Sequence, residues 1–166
     1  MKLLSSLFIL ISMLSAYDAE DLQTLIKEHE CKLCDLSGAD LRQIDLIRAD
    51  LSESNLSGAN FAGMDARKVN FSNTDLTDAN FTGATIKGAK FREALLHRTD
   101  FSKTRAWAAN FIDADIDRCN FKNAALGGAK FGNNDLNNSR FEGAILWEAV
   151  FDNVKGKPKQ NSVSDE

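Results

Sequence analysis

Residues 76–95 read LTDANFTGATIKGAKFREAL. Leu76, Phe81, Ile86 and Phe91 stand five apart, and an alanine (Ala79, Ala84, Ala89, Ala94) lies two places before each next member of the series. Continuing the step in both directions gives 24 consecutive apolar positions, from Leu36 to Phe151, without an insertion. In the column two places upstream, 13 of the 24 residues are Ala. Asp or Asn usually precedes the large residue, as in Ala39-Asp40-Leu41 and Ala59-Asn60-Phe61.

A period of five fits neither the 3.6-residue repeat of an α-helix nor the alternation of a long strand. It fits a chain that turns a corner every five residues, with the large residue and the small one two before it pointing inward. Four such sides close a square coil of about twenty residues, and coils stack at roughly 4.8 Å, the spacing of neighbouring strands. Twenty-four pentads make about six coils, a rod roughly 29 Å long at that spacing. Every Phe except Phe8 sits ten residues from the next, half a coil. From Phe61 onward Phe therefore fills two opposite sides and smaller residues fill the other two, an arrangement that lets aromatic rings meet at the axis. Where Ala66 stands in the large column, Met64 fills the small position beside it, conserving volume.

These residues resemble the pentapeptide-repeat family, whose pattern is Ala-Asp/Asn-Leu-x-x. The resemblance covers residues 34–153. It implies an all-β solenoid: a right-handed quadrilateral parallel β-helix with a short N-terminal capping α-helix. Its most studied members are DNA-mimicking proteins that bind gyrase, others are exported, and some dimerise through their C-terminal ends.

The ends follow other rules. Lys2, the apolar run Leu3–Leu14 and the small pair Ser15-Ala16 have the layout of a secretory signal peptide over residues 1–16. No Cys stands at position 17 to carry a lipid, so no stable membrane anchor is expected after cleavage. Residues 17–33 read as a capping helix, with Asp18 as N-cap and Leu22, Leu25, Ile26 and His29 on one face. Residues 154–166 read as a disordered polar tail, and the last coil is left without a lid.

Cys31 and Cys34 form a C-x-x-C. In an exported protein a structural disulfide is the default. The alternatives are zinc, with His29 as third ligand, and a redox pair, although a helix C-terminus does not favour a thiolate. Cys119 falls in the small inward column and reads as a buried inert thiol. No catalytic constellation appears: His29 and His97 stand apart from any Ser or paired carboxylates. The many Asp residues just before the large position read as corner residues. No enzyme, cofactor or metal is expected.

On the outside, Trp107, Gly127 and Trp147 share one column, and Ile145 and Val150 add apolar side chains near the C-terminal end. They are the candidate interaction surface. Six basic residues between Lys87 and Arg105 read as a solvated face, with weak anion binding as the lesser alternative. With a net charge of -4 and mixed charge along the repeat (17 acidic, 14 basic from Asp35 to Asp152), neither nucleic-acid binding nor a continuous acidic stripe is indicated. The expectation is a non-enzymatic exported binding or structural module of unknown partner, in the periplasm, a lumen or the medium, with a weak homodimer through the C-terminal coil. A gyrase-interacting DNA mimic is the runner-up and a thiol–disulfide redox protein the third reading.

Overall fold

The computed structural model describes residues 16–158. Its repeat unit is set by one turn chemistry. In most pentads the N–H of the small inward residue bonds to the carbonyl of the preceding large one, as Ala39 does to Leu36 at 3.1 Å and Ala84 to Phe81 at 2.9 Å. The residue between them, two after the large one, has positive φ in every pentad from Leu36 to Phe151 except at Gln43 and Asn138. An i to i+3 bond with positive φ at the third residue is a type II turn, which explains the glycines at Gly38, Gly58, Gly83 and Gly88.

Where Asp or Asn stands before the large residue, it completes the corner. Its side-chain oxygen accepts the N–H two residues on, as Asp40 does from Arg42 and Asn80 from Thr82. Those carboxylates and amides are therefore structural, as the sequence suggests. Some also bond vertically, Asn70 Nδ2 donating to Asp50 at 2.9 Å and Asn120 Nδ2 to Asp100 at 3.1 Å.

Parallel bridges join residues 20 apart throughout, for example Asn60 to Asn80 and Asn80 to Asp100. Four sides result. The first carries Leu36, Leu56, Leu76, Leu96, Ile116 and Leu136; the second Leu41 and the Phe61 series; the third Leu46, Ala66, Ile86, Ala106, Leu126 and Leu146; the fourth Leu51 and the Phe71 series. The chain forms a right-handed quadrilateral β-helix of six coils, residues 36–155.

Down the axis the Phe columns interlock. Neighbours in one column stack, Phe61 on Phe81 at 4.4 Å and Phe91 on Phe111 at 4.9 Å. Across the axis they meet edge to face, Phe61 with Phe71 at 5.5 Å and Phe101 with Phe111 at 5.6 Å. Both geometries suit the ring quadrupole. All 24 expected positions are buried except Phe141 and Phe151, which are half-buried because no described coil stands over them.

The front is closed by α1 (Ala19–Glu28), capped by Asp18, whose carboxylate accepts from the N–H groups of Glu20 and Asp21. Leu25 is fully buried and Leu22 packs partly against the core, but Ile26 and His29 point away. The apolar stripe is thus narrower than the sequence suggests, because only one edge of α1 rests on the first coil. His29 instead ends α1 in the left-handed conformation.

The ladder overruns both expected boundaries. Glu30 already bridges Asp50, and Lys155 bridges Asp135. Residues 154 and 155 thus belong to the last coil rather than to a tail. The signal-peptide reading falls almost wholly on residues 1–15, and most of the expected tail on 159–166, outside the described residues.

Candidate interaction surface

The C-x-x-C proves to be a pentad of the coil itself. Cys31 stands in the large inward position of the fourth side and Cys34 in the small one, both buried, with Leu33 between them at positive φ. Their sulfurs are at disulfide distance, with Cα atoms 5.6 Å apart. The usual turn bond is replaced here. Ser54 Oγ, one coil above, donates to the Cys31 carbonyl at 2.7 Å and accepts from the Cys34 N–H at 3.1 Å. Asp21 of α1 accepts the N–H of Asp35 at 2.7 Å, and the Asp18 N–H donates to the Asp35 carbonyl at 2.8 Å, so the lid is tied down beside the pair.

Among the described residues, Asp21, Cys31 and Cys34 form the one group whose donor atoms converge enough to hold a metal ion. His29 is not in it. Joined as a disulfide, the two sulfurs would offer this group no thiolates.

Cys119 is fully buried, its thiol donating to the Leu96 carbonyl, and burial pushes its pKa up to about 12. A thiol held neutral in this way is neither a nucleophile nor a metal ligand at neutral pH. His97 contacts Asp115 at 2.9 Å at the surface.

The expected interaction residues separate into two kinds. Trp107 is only 36% exposed, because its indole lies along the wall over Gly127, one coil above. Gly127 is buried and has no positive φ, so it is glycine for space alone. Ile112 lies over Gly132 on the fourth side in the same manner. The last coil differs: Ile145 is 53% exposed, Trp147 66% and Val150 40%. Reading the outward columns found Trp107, Gly127 and Trp147 but missed the Ile112–Gly132 pair, which the same rule (a glycine 20 residues after a large apolar residue) would have found.

Among the basic residues between Lys87 and Arg105, two are compensated. Arg92 pairs with Glu93 and Asp113, and Arg98 with Asp78. Several carboxylates are held below their ordinary range by adjacent guanidiniums: Asp40 to about 2 by Arg42, Asp65 by Arg67 and Asp78 by Arg98. No helix among the described residues is long and apolar enough to cross a membrane.

The family model for pentapeptide repeats matches residues 34–73, 65–98 and 94–133, in 8 copies. Comparison with curated proteins finds no significant match. Among solved structures the chain is similar to a pentapeptide repeat protein from the thylakoid lumen of Arabidopsis thaliana, with 34% identity over 57% of this chain and 63% of that one and a TM-score of 0.46. The chain thus spans less than two thirds of that relative. It is also similar to a pentapeptide repeat protein of the cyanobacterium Cyanothece 51142, with 22% identity over 82% and 92% of the two chains and a TM-score of 0.40. A third similarity is to QnrB1, a plasmid-mediated fluoroquinolone resistance protein, with 21% identity over 74% and 67% and a TM-score of 0.35.

Proposed function

Since the chain belongs to the pentapeptide-repeat family, we propose that it is a non-enzymatic, exported binding module that docks a protein against its last coil, in the first instance a second copy of itself. The carrying observation is the cluster of Ile145, Trp147 and Val150, exposed on one coil of an otherwise mostly polar wall. On the same coil the amides of Phe141, Leu146, Phe151 and Asn153 meet no acceptor among the described residues. In the coil below, the equivalent amides of Phe121, Leu126, Phe131 and Asn133 all bond upward. A coil edge of this kind pairs readily with another chain, and a two-fold contact of the same patch on both copies closes the assembly. Residues 141–154 form that contact.

Export rests on the Lys2–Ala16 leader pattern and on the cysteine pair, which forms a disulfide in an oxidising compartment. In the mature protein, thiol titration after unfolding should then find Cys119 alone. A DNA-mimicking role would want a continuous acidic stripe, whereas the third side carries Arg48, Arg67, Lys68, Lys87 and Arg105. Light scattering over a concentration series tests the proposal. Mass should rise toward that of a dimer, and Trp147→Ala should abolish the rise without altering the circular dichroism spectrum. A strict monomer at high concentration would remove it.

A further inference from the structure

The lower half of the third side holds a strip of cations that the repeat does not need. Arg48, Lys68 and Lys87 form no ion pair among the described residues, unlike Arg42, Arg67, Arg92 and Arg98. With Ile47 and Arg67 they line a shallow depression of about 370 Å³. Arg105, likewise unpaired among the described residues, and the indole of Trp107 continue the strip upward in the fourth coil. The outward positions of this wall face solvent by construction, so the corner geometry does not call for positive charge there.

We propose that this strip binds an extended acidic segment of a polypeptide, its carboxylates on Arg48, Lys68 and Lys87 and its apolar side chains on Ile47 and Trp107. The wall already shows how it takes a carboxylate. Arg67 grips Asp65 with Nε at 2.8 Å from one oxygen and a terminal nitrogen at 2.8 Å from the other. Width decides against a membrane. The strip is one side of the square, edged by Asp45 and Asp65 before it and by Asp50 and Glu53 beyond it. An anionic bilayer would meet those acids as well, whereas a single extended chain lies between them. Ile47, 37% exposed, and Trp107 bracket the cations and match aliphatic side chains, which nucleic acid lacks. The strip occupies coils one to four, away from Trp147, so this inference goes beyond the end contact and stands or falls separately from it.

The test uses the full mature chain and a fluorescein-labelled twelve-residue peptide of alternating Glu and Val, read by anisotropy at low salt. The Gln-for-Glu peptide, single-stranded oligothymidylate and phosphatidylglycerol vesicles serve as the other probes. The acidic peptide is expected to bind, to quench Trp107 in a Trp147→Phe background, and to dissociate with added salt. The double variant Lys68→Gln/Lys87→Gln should weaken it at least about tenfold, roughly 1.4 kcal/mol. Lys122→Gln, on the second side, should leave it unchanged, and Trp147→Ala should not matter. Equal binding of the Gln peptide, no loss in the double variant, or tighter binding of the oligonucleotide or vesicles would overturn the proposal.

Discussion

The indole of Trp107 occupies the space beside Gly127, one coil above, where any other residue would carry its Cβ. The large apolar side chain and the missing one form a single packing unit on the outside of the helix. Gly127→Ala should therefore push the ring off the wall. In a Trp147→Phe background, Trp107 emission should shift to the red, with a stability loss of about 1 kcal/mol, at the low end for overpacking because the ring can swing into solvent.

Ser54 supplies the turn bonds that the cysteine pentad lacks. Ser54→Ala would leave the Cys34 N–H and the Cys31 carbonyl buried without these partners, and such groups cost about 1–3 kcal/mol each. Denaturant unfolding should show a loss in that range, and hydrogen exchange should accelerate at residue 34 and across α1.

Phe101 stacks on Phe81 at 5.1 Å and on Phe121 at 5.0 Å, and meets Phe91 and Phe111 edge-on. Phe101→Ala should cost about 3–5 kcal/mol in urea unfolding. Phe151→Ala, at a half-buried ring with one stacking partner, should cost clearly less.

The guanidinium-paired carboxylates make stability acid-sensitive. Arg42 depresses Asp40 to about 2 from its ordinary value of 3.8, and Asp65 and Asp78 move in the same direction beside Arg67 and Arg98. A lowered folded-state pKa contributes stability that is present above about pH 4 and lost as pH falls toward 2. Melting temperature should fall across that window, and Arg42→Gln should lower it modestly at pH 7 and flatten part of the decline, the two proteins converging near pH 2.

The coils were legible because each pentad repeats one physical decision, and 24 repeats leave no competing period. Errors arose where that redundancy stops. Ile26 fits a helical stripe with Leu22 and Leu25, yet α1 rests on the coil along a single edge, and a helix alone does not reveal how much of it will be covered. Cys31 falls outside the expected repeat of residues 34–153 because cysteine does not look like Leu. In the structure it fills a large inward position, with Cys34 in the small one after it. Trp107 and Trp147 share a column and are indistinguishable by spacing, and only the coordinates show one ring lying along the wall and the other projecting. The cations Arg48 and Lys68 went unnoticed because they are 20 residues apart in sequence while adjacent in the stack.

Trp147 fluorescence in a Trp107→Phe chain tests the docking claim most directly, since that ring reports from the proposed contact alone. Across a concentration series matched to light scattering, its emission should move to the blue as mass approaches that of a dimer, and iodide quenching should fall. Emission that stays solvated and fully quenchable at every concentration, with a constant monomer mass, would contradict the account.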